Sequence, residues 1–333
     1  MSKYIFVFIF LGFISCKKTE RDYTYDNIDF KQEMRNFVKH ISHYAKNQKP
    51  GFNIITQNGV ELITVNGRPD GITHYDYVDA LDAQSQEGLF YGYEVDDMPT
   101  TPDKIRYLKQ FLNKAKAQDK TIMITDYCSS PDNIRKSRDS VEHNQYIGFT
   151  ATHRELDIIP QLPVPNENHQ DIDNLNQAKN YLYLINYQNF SNKMRLLESI
   201  AVTNYDVVIM DLFYQGQAFT TQDLERLSHK ANGGKRLLIA YVSIGEAEDY
   251  RYYWQASWNN DHPVWLDEEN PDWQGNYKVR YWEKDWQDII YGNNQSYLKK
   301  VIDAGFDGAF LDVIDAYEFF EQKTGNNDTS VSN

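Results

Sequence analysis

The sequence lacks the short signatures that mark nucleotide or zinc chemistry. It has no GxGxxG followed by an acid, no GxxxxGK[ST] and no HExxH. Those spacings are what a pyrophosphate turn, a phosphate-cradling loop and a helical zinc site require. The eight histidines are scattered, and neither a metal nor a cofactor is expected. Gly233-Gly234-Lys235 follows a helix-like segment, whereas a phosphate loop follows a strand. A basic excess is missing too. Lys and Arg number 34 against 48 Asp and Glu, a net charge of −14, which disfavours nucleic acid and anionic membrane surfaces and accommodates a neutral or cationic partner. Long apolar runs are scarce, and the one at residues 4–14 is too short to span a bilayer.

Cysteine is nearly absent, with only Cys16 and Cys128. The opening "MSKYIFVFIFLGFISCKK" has a Lys, an apolar run and then Ser15-Cys16. The run matches a secretory h-region, and a small residue directly before Cys resembles a bacterial lipoprotein signal, with Phe13 where Leu is usual. Residues 1–16 are then a signal whose Cys16 becomes the lipidated first residue. Residues 17–28 form a polar tether, 29–325 the folded domain and 326–333 a tail. Lipidation of Cys16 leaves Cys128 alone and excludes an intramolecular disulfide. The expected location is the bacterial cell envelope, periplasmic or surface, with the membrane contacted only through the lipid.

What the chain has in quantity is aromatic: 25 Tyr, 17 Phe and 6 Trp. A flat apolar face with a polar tip suits sugar rings. Strand-like runs occupy 53–59, 77–94 taken as one region, 121–127, 181–187, 206–213, 236–245, 277–282 and 306–313. Helix-like segments lie between most of them, and Thr220 or Thr221 is placed to cap one that closes near Gly233. Continuous apolar strands fit a parallel sheet buried on both faces. Eight strands alternating with helices predict a single (β/α)8 barrel, which needs roughly 250 residues; a doubly wound sheet is the alternative. Residues 158–177, with prolines at 160, 163 and 165, read as an extended linker between the third and fourth strand regions. Polar residues end most strands: Gln57-Asn58, Glu87, Asp126-Tyr127, Asn186-Tyr187, Asp211, Glu246 and Asp312. In a barrel these ends share one mouth, where active sites sit.

Carboxylates and aromatics are therefore the available chemistry, and paired carboxylates are what glycoside hydrolysis uses. "YVSIGEAEDYRYYW" supplies Glu246, Glu248, Asp249 and Arg251; "LDVIDAY" supplies Asp312 and Asp315; "SQEGLFYGYEVDD" supplies Glu87 and Glu94. "AYVSIGEAEDYRYYW", "NPDWQGNYKVRYW", "AGFDGAFLDVIDAYEFFE", "GFNIITQNGVELI" and "GLFYGYE" resemble glycoside hydrolase family 114, the endo-α-1,4-polygalactosaminidase-like group of TIM barrels, and within it the poorly characterised bacterial branch. The order of segments differs. In that family the counterpart of "YLYLINY" comes first, and "GFNIITQNG" follows the "LDVIDAYE" strand after a helix. Here that helix, residues 29–51, stands ahead of "GFNIITQNG". The resemblance thus implies a circular permutant, with the last three family strands first and 158–177 joining the halves. A two-chain assembly of half barrels is the alternative.

The resemblance also implies a retaining pair: Asp312 as nucleophile and Glu87 as acid/base, with Glu94 the rival. Asp211, Glu248, Asp249, Asp126, Tyr127 and Tyr317 would line the site, beside Glu246 and Asp315, and Gln57-Asn58 could hold a sugar hydroxyl or an amine. The expected substrate is an amino-sugar-containing poly- or oligosaccharide. A non-catalytic glycan-binding lipoprotein is the alternative, and a divalent ion among Asp126, Asp211 and Asp312 would point to a different barrel enzyme.

Overall fold

The computed structural model describes residues 24–325, and Cys16 lies outside them. Among these residues, eight parallel strands form one sheet: β1 (Asn53–Gln57), β2 (Ala83–Glu87), β3 (Thr121–Tyr127), β4 (Ile147–Ala151), β5 (Tyr181–Leu184), β6 (Val207–Asp211), β7 (Leu237–Ser243) and β8 (Gly308–Asp312). The hydrogen-bonded order is β4-β3-β2-β1-β8-β7-β6-β5. β8 ladders onto β1, with Asn53 level with Gly308 and Thr56 with Leu311. β4 and β5 meet through packing, Phe149 lying 5.8 Å from Tyr181 between ring centroids. The result is a nearly closed α/β TIM barrel.

Two expected strands change. Residues 277–282 do not enter the barrel; Asn276–Val279 pairs antiparallel with Glu246–Glu248 and Leu266–Glu269, forming an arm between β7 and β8. The eighth barrel strand is instead β4, in a stretch with no expected strand. Only 83–87 of the region 77–94 is extended. The Pro-rich segment consequently joins the fourth and fifth strands, and the chain divides four plus four rather than three plus five.

The helices are α1 (Phe30–Gln48), α2 (Tyr75–Val78), α3 (Pro102–Lys116), α4 (Pro131–His143), α5 (Lys193–Ala201), α6 (Thr221–Glu225), α7 (Lys284–Ile290), α8 (Tyr297–Ala304) and α9 (Tyr317–Thr324). Side-chain caps start several of them. Thr101 and Ser130 each accept from the amide three residues on, followed by a proline in the first turn, where the missing N–H costs nothing. Thr220 and Asp223 cap each other reciprocally at α6, which ends at Glu225, well before Gly233. Between β4 and β5 the only regular piece is the 3-10 turn Leu175–Gln177. The segment 158–177 is thus an extended strap where a helix would otherwise cover the barrel.

α1 supplies the cover next to β8 and β1, packing against α2, α8 and α9. Glu321 of α9 lies beside the start of this helix. Lys31 Nζ is 2.5 Å from Glu321 Oε1, and Phe30 stacks on Phe320 at 5.7 Å.

Strand alternation decides which side chains enter the barrel. Thr125 Oγ1 and Tyr181 OH meet inside at 2.8 Å, so Tyr127, two residues on, also faces inward. Asp126, between them, faces the helices and accepts from Ser137 Oγ on α4 at 2.7 Å. Thr56 Oγ1 and Gln84 Oε1 pair on the outer face at 2.9 Å, which turns Gln57, Ser85 and Glu87 inward.

Candidate active site

The barrel mouth opens into a cavity of about 930 Å³ whose walls include Glu87, Tyr127, Tyr183, Asp211, Tyr241, Glu246, Glu248 and Asp312. A smaller cavity of about 390 Å³ adjoins it. The two share Glu87 and Arg154, and the smaller is otherwise acidic, with Glu61, Asp315 and Glu318 against Lys104. A third, of about 610 Å³, lies along the strap and contains none of the candidate acids.

Ion pairing sorts the acids of the large cavity. Arg251 bridges Asp211 (2.6 Å) and Glu248 (2.5 Å), with all three side chains buried. Lys278 sits 2.5 Å from Glu246, which also accepts from Asn270 Nδ2 at 2.7 Å. These three carboxylates are compensated and act as walls. Asp312 and Glu87 have no cation at ion-pair distance among the described residues. Asp312 Oδ2 accepts from Tyr241 OH at 2.8 Å and Oδ1 from the Val313 amide at 2.8 Å. Glu87 accepts a short hydrogen bond from Tyr127 OH, and the Arg154 guanidinium lies 3.9 Å over the Tyr127 ring.

Burial pushes the Asp312 carboxyl up to about 7, and the nearby Glu87 charge adds to the rise. Burial also raises Glu87, but Tyr127, the Arg154 charge, Asn58 and Gln57 oppose it. The two acids therefore sense each other, and their titration belongs to the pair. Burial and the Glu87 charge both favour the protonated form of Asp312. Burial raises Tyr127 and Tyr241 well above the usual phenol range, so both remain neutral donors.

Several expected site residues lie elsewhere. Asp126 belongs to the helix layer, and burial raises it to about 6; it cannot join Asp211 and Asp312 around an ion. Asp249 is exposed at the end of the arm strand, outside the cavity. Asp315 lines the small cavity. Tyr317 is buried and donates to Glu61 at 2.9 Å. Asn58 adopts a left-handed φ of 59°, and its Oδ1 accepts from the Glu87 amide at 3.1 Å, so it fixes the end of β2 rather than the large cavity. Gln57 is sealed at 1 % exposure, out of reach of a sugar. Glu94 is exposed and lines neither cavity. Gly88 and Gly92, both at positive φ, fold the following loop back. A Cβ on Gly92 would lie 2.6 Å from Tyr127 Cβ, so side chains there would displace the Glu87 donor.

Tyr241, Arg154, Lys278 and Trp273 are members of the site that the sequence motifs did not single out. Alternation along β7 from Tyr241 to Ser243 carries the signal for the first. The others come from loops and the arm and have no local signal.

Residues 174–333 match Glycoside-hydrolase family GH114. Over this stretch, just under half of its length, the chain is similar to glycoside-hydrolase family GH114. The matched stretch carries β5 to β8, and hence Asp211, Arg251 and Asp312. An uncharacterised protein of Methanocaldococcus jannaschii is 36% identical over 157 residues, 44% of each chain. Uncharacterised proteins of Thermotoga maritima (40% over 124 residues, 37% of each chain) and Deinococcus radiodurans (38% over 130 residues, 39% of each chain) are similar too. The matched stretch is less than half the length of each relative.

Proposed function

We propose that the protein is a retaining glycoside hydrolase acting on an amino-sugar-containing polysaccharide, with Asp312 as nucleophile and Glu87 as acid/base. The supporting observation is that Asp312 and Glu87 each accept from a tyrosine and have no cation at ion-pair distance among the described residues, while Asp211, Glu246 and Glu248 beside them are compensated. One shared proton is what such a pair needs. A protonated sugar amine entering the acidic site would stabilise the Asp312 carboxylate and pass the proton to Glu87. The uncompensated acids of the small cavity and the net negative charge suit the same cation. Exposed Trp273 and Tyr250 on the cavity rim offer apolar faces to the polymer.

The test is release of reducing ends from a panel of amino-sugar polymers. Asp312→Asn and Glu87→Gln should each lose roughly 10²- to 10⁴-fold in kcat while keeping the wild-type far-UV spectrum. Full turnover in either variant sinks the pair, and the anomer first released decides retention against inversion. The chain is further proposed to be a lipoprotein of the bacterial cell envelope modified at Cys16. Metabolic labelling with a fatty acid should mark the wild type and not Cys16→Ser.

A further inference from the structure

Beneath the carboxylate pair lies a polar cluster that hydrolysis does not use. Gln57 and Ser85 are register partners on β1 and β2, and both face the barrel interior. They are 1 % and 0 % exposed. Gln57 Oε1, Gln57 Nε2 and Ser85 Oγ have no hydrogen-bond partner among the described residues. Three orphaned polar atoms side by side in a core are costly, and buried polar groups are nearly always satisfied by protein or by bound water. Sealing excludes a sugar hydroxyl.

Their position is specific. β1 separates the two strands that carry the pair, β8 with Asp312 and β2 with Glu87. Thr56 is level with Leu311 and Gln57 with Ser85, so Gln57 is the inward side chain of β1 at the level of Asp312. Ser85 stands two residues below Glu87 on the same face of β2. The Gln57 amide is near enough to Glu87 to favour its charged form, although the two complete no hydrogen bond of normal geometry.

We infer that Gln57 and Ser85 form a buried site for one water molecule under the Asp312–Glu87 pair, and that this water and the Gln57 amide position the Glu87 carboxyl. A buried water typically takes about three hydrogen bonds, and the two side chains supply that number of atoms. An amide is suited to the place because it presents a donor and an acceptor. The donor serves the ionised carboxylate, and the acceptor serves the acid once it takes the proton. Gln57 and Ser85 are positioning residues, since neither can touch substrate. The other groups facing Glu87 are Tyr127, Tyr181, Tyr183, Asn58, Arg154, Asp312 and Asp315.

The role of Glu87 rests on the proposed hydrolase activity, so the test avoids turnover. A crystal structure of the full chain at about 1.5 Å should show one solvent peak within roughly 3.2 Å of the Gln57 amide and of Ser85 Oγ; a site without density there overturns the inference. Carbon-13 titration of the Glu87 carboxyl should move upward in Gln57→Met and Ser85→Ala by at least about half a pH unit, because the first removes the amide donor and the second a holder of the water that supports the charged form. A solvent peak with an unmoved titration in both variants overturns the positioning role. If either variant fails to fold, the wild-type density still decides. An inactive wild type with the peak in place would sink the hydrolase proposal and leave the water site standing.

Discussion

Asp312 is presented by an unusual backbone. Val313, directly after it, has φ 59°, a left-handed conformation that a β-branched residue adopts only under constraint, at a cost of order 1–3 kcal/mol. Gly245 makes room for this turn: a Cβ there would lie 2.0 Å from the Val313 carbonyl oxygen. The turn aims the Val313 amide back at the Asp312 carboxyl, and the barrel holds that carboxyl beside Glu87. The arrangement predicts a pH signature in stability. Asp312 titrates at about 7 in the folded protein and near 3.9 in an unfolded chain. Between those values the folded state binds more protons, so its stability falls as pH rises. The contribution is fully present below about 4 and lost above about 7. Asp312→Asn removes the titration. Its melting temperature relative to wild type should therefore be several degrees more favourable at pH 8 than at pH 4.5. The same offset at both pH values would show that the carboxyl is not raised. The acid itself was legible as a strand-end Asp in "FLDVIDAY". Its state was not, because desolvation and the Glu87 field come from strands distant in sequence. Asp126 shows the converse: a strand-end acid with the right composition and the wrong parity, turned to Ser137 by one residue of alternation.

Two elements define how far sequence pattern reaches. β4 escaped notice because Gly148 interrupts a short run, yet Gly148 is there for packing: a Cβ would come within 2.8 Å of Val141 on α4. Residues 277–282 are extended, as their pattern says, but pattern does not tell which sheet a strand joins. The strap was legible from its prolines, and its anchorage was not. Asn168 of the strap bonds Asp206 Oδ2 at 2.9 Å, and Asp206 pairs with Lys230 at 2.8 Å with both side chains fully buried. The strap thus hangs on a buried ion pair at the start of β6. Removing one partner of such a pair leaves an uncompensated charge and costs about 3–5 kcal/mol. Asp206→Ala should lower the denaturation free energy by that amount, and the double variant with Lys230→Met should recover part of it. A loss under about 1 kcal/mol would show that water replaces the pair.

At the scale of the molecule, the questions are where the barrel is joined and why it closes. Its strands follow each other in cyclic order, so β8 beside β1 is the seam between the two ends of the sheet order in sequence. α1, α9, Lys31 and Glu321 cover that seam. β4 beside β5 is the other join, bridged by the strap without a ladder, and the GH114 match begins at residue 174, inside the strap. The coincidence of a family boundary, a missing helix and a missing ladder supports circular permutation, with the strap as the added joint and four strands, not three, moved to the front. If the strap is only a joint, the fold should survive moving the ends into it. A variant beginning at residue 174 and ending at residue 165, with residues 325 and 24 joined by a short flexible linker, keeps β8 beside β1. It should fold to the same far-UV spectrum, with the ladder from β5 through β8 to β4 intact by amide-exchange protection. Its melting temperature should drop, because Asn168 no longer ties the strap to Asp206. Joining the ends near Glu321 and Asp29 is feasible since Lys31 and Glu321 already touch, and loop closure grows only as the logarithm of linker length. Failure to fold, with Asp206 and Lys230 still paired in sequence and the strap alone opened, would instead make 158–177 an integral layer of the barrel and remove the main structural support for permutation.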